Sequence, residues 1–181
     1  MNDDAPELVV PVSKDDHTQG RAKAAVTLVE YGDYQCPACG MAYPAIKRIQ
    51  RRFGNDLRFV FRNFPLSEAH PLAQPAAKLA EAAGLLQHFW PMHDWLYENQ
   101  DAWIADNGEG LETGPRELDI DAAAIARVLR EHHIGARIQA DFMGGVRSGV
   151  NGTPGFFVNG YRFDGGAGSL EGAIESLIER L

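Results

Sequence analysis

Cys36 and Cys39 are the only cysteines in 181 residues, and two residues separate them in the stretch Tyr34-Gln35-Cys36-Pro37-Ala38-Cys39-Gly40. Two thiols at this spacing can close and reopen a disulfide, which makes them a reversible redox switch. The stretch lies where a strand-like segment gives way to a helical one. Unpaired amides and the dipole at a helix start favour negative charge, so Cys36 is expected to titrate low. A cysteine so placed falls from about 8.5 toward roughly 3.5 to 7.5. Pro37 suits the first helical position, where its missing N–H costs nothing. Cys39, one turn on, lies on the same side and can attack a mixed disulfide formed at Cys36. The other chemistry open to two cysteines, half of a structural zinc site, needs two more ligands. The six histidines, His17, His70, His88, His93, His132 and His133, offer no pair spaced to complete one. No metal or cofactor is expected.

The elements that must position this pair can be read from composition and period. Val26 to Tyr31 is rich in β-branched and apolar residues and predicts a strand. Met41, Ala45, Ile49 and Phe53 recur every four residues and predict an apolar helical face up to Gly54-Asn55-Asp56, with Pro44 expected to kink it. Leu57 to Arg62 predicts a second strand, parallel to the first, so the cysteines sit at the carboxyl end of the first strand, where sites in open α/β sheets tend to lie. From Pro71 to about Val146 the pattern is helical. One helix runs from about Leu72 and is ended by Gly84, a second spans Phe89 to Glu98, and others span Ala122 to His132 and Ile134 to Val146. Asp106 to Pro115 is expected as an acidic, Gly-rich mobile loop. Gly155 to Val158, the turn pair Asn159-Gly160 and Tyr161 to Phe163 predict a hairpin. Ser169 with Gly172 is expected to open a last helix striped by Leu170, Ile174, Leu177, Ile178 and Leu181.

Length and composition bound the rest. A chain of 181 residues, 45% of them hydrophobic, can bury a core without cross-links. The loop that a Cys36–Cys39 bond would close is too short to constrain the unfolded chain much, so a structural disulfide is not expected. A net charge of −8 argues against nucleic acid or an anionic membrane as partner. No segment reaches the roughly 18 apolar residues of a membrane span. The acidic start, Met1 to Glu7, lacks the basic and apolar regions of a secretory signal. Cytoplasmic placement is therefore expected, or a periplasmic or secreted one for a chain trimmed of its leader.

Taken together, these features resemble the DsbA-like family of thioredoxin-fold thiol-disulfide oxidoreductases. The residues that carry the resemblance are Val29-Glu30-Tyr31 at the first strand, Cys36-Pro37-Ala38-Cys39, the helical insertion, and Gly152-Thr153-Pro154 before the hairpin. The fold implied is α/β, with a central mixed β-sheet and a helical insertion between a βαβ unit and a C-terminal ββα unit. The corresponding division is an arm over 1–22, a thioredoxin-fold domain over 23–70 and 147–181, and an insertion over 71–146. The resemblance implies Cys36, Cys39 and Glu30 as catalytic residues, Glu30 relaying the Cys39 proton from a buried site, unless a one-residue shift of register points it outward. Pro154 matches the family's cis-proline, and Thr153, Pro154, Pro37 and Ala38 would lie along the substrate. Substrates would be thiol- or disulfide-containing proteins or peptides, with a further redox partner to recycle the pair. Strongly oxidising members often carry a histidine where this chain has Ala38, which leaves the direction of electron flow open.

Two other functions fit parts of the pattern. A glutathione-dependent transferase or isomerase of the kappa class shares a fold with a helical insertion but does not need Cys39. A redox sensor or chaperone-like binder would use the pair only to switch a surface. Among the aromatics, Phe89, Trp90, Trp95, Tyr97 and Trp103 read as core in preference to a peptide groove. His88 and His93 read as surface residues, and His70 is a residue that could approach the site at the insertion boundary.

Overall fold

A computed structural model of the chain describes residues 7–131 and 134–180. Five strands form one mixed sheet in the order β1 (His17–Gln19), β3 (Leu57–Asn63), β2 (Val26–Gly32), β4 (Gly155–Val158), β5 (Tyr161–Phe163). The pair β2 and β3 is parallel, and every other neighbouring pair is antiparallel. Helix α1 (Pro37–Phe53) connects β2 to β3, and α8 (Ala167–Ile178) packs beside it. Between β3 and β4 the chain winds through α2 (Ala73–Leu85), α3 (Phe89–Glu98), α4 (Gln100–Ala105), α5 (Thr113–Glu117), α6 (Ala122–Glu131) and α7 (Ile134–Arg147). The chain is thus an α/β thioredoxin fold with a mixed sheet and a helical excursion before the hairpin.

Parallel central strands need both faces covered, and the side chains of β2 and β3 are accordingly buried almost throughout. The larger core joins Leu28, Phe59 and Phe61 to Ile46 and Ile49 of α1 and to Leu96 and Trp103 of the excursion. A second cluster, Val29, Tyr31, Val60, Phe64 and Phe157, occupies the other sheet face. Both faces are therefore fixed from several directions. The carboxyl end of β2 is in consequence a rigid base for the turn that carries the cysteines.

Several local expectations are corrected. The buried face of α1 is Cys39, Ala42, Ile46 and Ile49, while Met41 is 76% exposed. The apolar face is rotated from the expected one because Cys39 takes the place in the first turn that Met41 was expected to hold. The acidic stretch after Asp106 is wound into a 3-10 turn (Glu109–Glu112) and α5, anchored by buried Leu111, Gly114 and Pro115. Gly84 does not end its helix, which continues through Leu85. The last helix starts at Ala167 with Gly166 as its cap, and Ser169 instead bonds back to the Gly166 carbonyl. Within the N-terminal arm, His17–Gln19 forms an edge strand that pairs antiparallel with β3. His132 and Leu181, expected in helices, lie outside the described residues.

Candidate active site

The site is built where β2 ends. Tyr31 pairs with Gly155 across the β2–β4 ladder, which brings the loop Gly152-Thr153-Pro154 beside the turn that carries the cysteines. The Thr153–Pro154 peptide is cis. Cys36 is the cap residue of α1, with extended backbone, and Pro37 occupies the first helical position. The first turn of α1 holds no acidic residue, so nothing competes for the positive end of the helix. The Cys36 carbonyl accepts the Cys39 and Gly40 amides at 3.1 Å, and the Cys36 amide donates to the Asp33 carbonyl at 3.1 Å.

Both sulfurs are buried, Cys39 completely, and both are free thiols. The Cys36 thiol points at the Thr153 carbonyl, 3.4 Å away. Hydrogen bonding from the Cys39 thiol, more than any other contact, pulls the Cys36 pKa down to about 5. The Thr153 hydroxyl and the amides of Cys39 and Ala38 act in the same direction against the opposing effect of burial. Thr153 Oγ1 is buried and has no hydrogen-bond partner, so a thiolate at Cys36 would satisfy a donor that is otherwise unused. Cys39 moves the other way, because burial disfavours its charge and its proton is the one shared with Cys36. One acidic and one reluctant thiol in a single helical turn suit an attacking and a resolving group.

Glu30 is 3% exposed, opposite Phe61 on β3 and Phe156 on β4. Its register is the inward one. Burial, and after it the charge on Cys36, raises its pKa to about 8. A carboxyl with that value is protonated at neutral pH and within range of gaining or losing its proton. Pro37 is exposed and Ala38 half-buried at the mouth of the site, and the Glu30 charge is also felt by Cys39.

Four residues that sequence reasoning did not assign hold the turn from behind. Asp33, fully buried, accepts the Gln35 amide at 2.8 Å, the Leu66 amide at 3.0 Å and His70 Nδ1 at 2.7 Å. Gln35 Oε1 accepts the Leu72 amide at 2.5 Å. Gln100 Nε2 donates to the carbonyls of Tyr34 and Cys36 at 2.7 and 3.0 Å. His93 is 3% exposed rather than a surface residue. Burial keeps it neutral, and its Nδ1 accepts the Tyr34 hydroxyl at 3.0 Å. Phe89, Met92, Leu96 and Tyr97 fill out the apolar side of α3, and His93 shares that side because it finds a hydrogen-bond partner there. Phe89, Trp95, Tyr97 and Trp103 are buried in the core. A cleft of about 480 Å³ runs beside the first turn of α1, between Pro37, Gly40 and Met41 and the α3–α4 junction.

Among the described residues no helix is long and apolar enough to cross a membrane. The family model described as Thioredoxin matches residues 12–176. Among curated proteins, "Na(+)/H(+) antiporter NhaA 1" of Salinispora arenicola is 43% identical over 160 residues, covering 88% of this chain and 24% of that protein. The chain thus spans about a quarter of the length of the curated relatives it matches. Among solved structures, Pseudomonas aeruginosa DsbA2 is similar with a TM-score of 0.72 and 27% identity over 95% of this chain and 98% of that one. Wolbachia pipientis alpha-DsbA1 shares the fold with a TM-score of 0.81 at 19% identity, over 96% and 95% of the two chains. With the sheet order, the paired thiols and the family match in agreement, the chain belongs to the thioredoxin family, in its DsbA-like branch.

Proposed function

We propose that the chain is a thiol-disulfide oxidoreductase that works through a mixed disulfide at Cys36. The observation that carries this reading is a pair of buried free thiols at a helix start, with the Cys36 sulfur 3.4 Å from the Thr153 carbonyl. A low Cys36 pKa stabilises the reduced form and so favours oxidation of substrates. In that direction a substrate thiolate attacks Cys36 Sγ of the Cys36–Cys39 disulfide. The new sulfur–sulfur bond forms as the old one breaks, and Cys39 leaves as thiolate. Glu30, protonated at neutral pH, supplies the proton that Cys39 takes up. A second substrate thiolate then attacks the substrate sulfur of the mixed disulfide, and Cys36 departs as a stable thiolate. The substrate leaves oxidised by two electrons, which now reside in the two enzyme sulfurs.

The backbone beside Thr153 and Pro154 is the surface along which an extended substrate chain pairs, since Pro154 offers no N–H of its own. Pro37 and Ala38 border the other side of the attacked sulfur. The cleft beyond Pro37 and Met41 has room for side chains flanking the substrate cysteine. Substrates in this reading are proteins or peptides bearing paired thiols, and a separate redox partner reoxidises the pair. An oxidant acts where thiols are not kept reduced. The oxidising direction therefore goes with placement outside the cytoplasm, the alternative to the cytoplasmic placement expected from the acidic N-terminal stretch.

A second free thiol, Cys39, buried in the first turn of the same helix supports a two-cysteine route over a glutathione transferase, which does not need it. The test is oxidation of a dithiol peptide and reduction of insulin by Cys36→Ser and Cys39→Ser. Cys36→Ser is expected to abolish both activities, and Cys39→Ser to accumulate mixed disulfides. Full glutathione-dependent turnover by a Cys39→Ala protein would instead establish the transferase.

A further inference from the structure

The cleft of about 480 Å³ beside the first turn of α1 opens next to Pro37, the residue after the reactive cysteine, and reaches the junction of α3 and α4. Pro37, Met41 and Tyr97 give it apolar walls, and Met41 is exposed there. Its two charged side chains are both acidic: Glu98 ends α3, and Asp101 lies in the first turn of α4. The Tyr43 hydroxyl donates to Glu98 Oε1 at 2.9 Å, which steadies that carboxylate and leaves its other oxygen open. Asp94, one turn earlier, is paired with Lys47 at 2.7 Å, whereas neither Glu98 nor Asp101 has an ion-pair partner among the described residues. A third acceptor comes from inside the protein. Gln100 is 8% exposed, and while its Nε2 is engaged by the Tyr34 and Cys36 carbonyls, its Oε1 accepts no hydrogen bond among the described residues. That oxygen lies against Gly40, where a Cβ would stand 2.1 Å from it, and both residues line the cleft. A nearly buried amide oxygen left open to a cleft calls for a donor.

We propose that this cleft is the subsite for a basic side chain flanking the reacting cysteine of the substrate. This inference rests on the exchange chemistry proposed above and names the substrate class that it favours, thiol peptides with a cationic flank. A long basic side chain lays its methylenes along apolar surface and keeps its charged head among polar groups. Here the methylenes meet Pro37, Met41 and Tyr97, and the head meets Glu98, Asp101 and the Gln100 oxygen. Arginine carries five N–H donors and no acceptor, so it has a donor for each of these three groups, whereas a carboxylate would be repelled. The chemical step is the one already described. A substrate thiolate bonds to Cys36 Sγ as the Cys36–Cys39 bond breaks, and Cys39 leaves as thiolate. The second substrate thiolate then displaces Cys36, and the two electrons that the substrate loses end on the enzyme sulfurs. The subsite holds the substrate before and during the first attack alike, so it acts on binding more than on the limiting rate.

The test mixes the protein in its Cys36–Cys39 disulfide form with excess dithiol peptide, using three peptides alike except for arginine, alanine or glutamate beside the cysteine. The rate over a range of peptide concentrations gives a half-saturating concentration and a limiting rate. Each rate is divided by that of the same peptide with hydroxyethyl disulfide, an uncharged oxidant, which removes the effect of the flanking charge on thiol acidity. The arginine peptide is expected to outpace the glutamate peptide about tenfold at low concentration, through the half-saturating concentration, and to lose most of that lead in about 1 M salt. Glu98 and Asp101 are exposed, so both can be replaced without opening the core. Glu98→Gln with Asp101→Asn is expected to abolish the lead, and Asp101→Lys to favour glutamate. Asp56 is exposed just before β3, at the end of the β2–β3 pair remote from the cysteines, and Asp56→Asn is expected to keep the lead. Equal rates for the three peptides overturn the subsite and leave the exchange reading intact. So does a lead that survives the double substitution, or one that falls as far in Asp56→Asn. Failure of all three peptides to form a mixed disulfide at Cys36 overturns the exchange reading, and this inference with it.

Discussion

Gln100 Nε2 lies 3.0 Å from the carbonyl oxygen of Cys36, the residue whose sulfur begins the chemistry. The same nitrogen serves the Tyr34 carbonyl at 2.7 Å, so a residue of α4 fixes the turn from the helical side of the molecule. Gln100→Ala takes a donor from each of two buried carbonyls, of which that of Cys36 keeps the Cys39 and Gly40 amides. The expected cost is about 1 to 3 kcal/mol of stability, measured by urea unfolding. With the turn loosened, the Ala38 and Cys39 amides lose their aim, and the Cys36 titration midpoint is expected to rise from about 5 toward that of an ordinary thiol.

Gly40 belongs to the same arrangement. A Cβ at this position would stand 2.1 Å from Gln100 Oε1 and 2.9 Å from Cδ, so only glycine lets the amide through. Gly40→Ala is expected to push the Gln100 side chain aside and reproduce the higher Cys36 midpoint. Because the obstructed atoms are the end of a flexible side chain, the penalty is lost hydrogen bonds and not a lost fold. The double variant with Gln100→Ala should cost clearly less than the sum of the two single variants, since both remove the same bonds. Additive costs would show that Gly40 serves some other contact.

Glu30→Gln separates stability from activity. The carboxyl titrates at about 8 in the folded protein, against an ordinary value near 4.5. Its protonated form is therefore favoured by folding, and stability falls as pH rises from about 4.5 to about 8. Glutamine removes that dependence. The variant is expected to be more stable than the parent by on the order of 2 kcal/mol at pH 7, and no more stable at pH 4. Exchange should slow about tenfold, because Cys39 loses its proton donor. Thermal melts at the two pH values and the rate of dithiol oxidation read the two effects independently.

Much of the fold is legible in the sequence because its signals are local. The strands β2, β3, β4 and β5 are marked by β-branched and aromatic runs and by Asn159-Gly160 at the hairpin. Pro37 after Cys36 marks the helix start, while Glu30 is implied by the family resemblance. The hidden relationships are long-range. The partner of Gln100 is 64 residues away, and nothing near Gln100 in the chain indicates it. Asp33 and His70 are 37 residues apart and meet only because β2 and β3 run side by side. His93 has the look of a surface residue because its partner, Tyr34, belongs to another part of the chain. One local signal does exist for Gln100: the glycine directly after Cys39, which a close approach requires.

Thr153→Val tests the contribution of a single hydroxyl. Oγ1 is buried without a partner beside the Cys36 thiol and assists the thiolate when it forms. Valine has nearly the same shape and nothing to satisfy, so the reduced protein should lose no stability at a pH below the Cys36 midpoint. The midpoint itself should move up, and the reduction potential should become more negative, since the reduced form loses part of its stabilisation. Equilibration with glutathione measures the potential. A less negative value would assign the hydroxyl to the disulfide form instead.

The acidity of the Cys36 sulfur underlies every step of the exchange, and in place of a neighbouring histidine it draws on a second thiol, a threonine hydroxyl and two helix amides. The pH titration of thiolate ultraviolet absorbance in the reduced protein measures that acidity directly. One thiolate should appear with a midpoint near 5 and be absent from Cys36→Ser, while Cys39 ionises only far higher. A single transition at the ordinary thiol value near 9, or a low-pH transition that persists in Cys36→Ser, would contradict it.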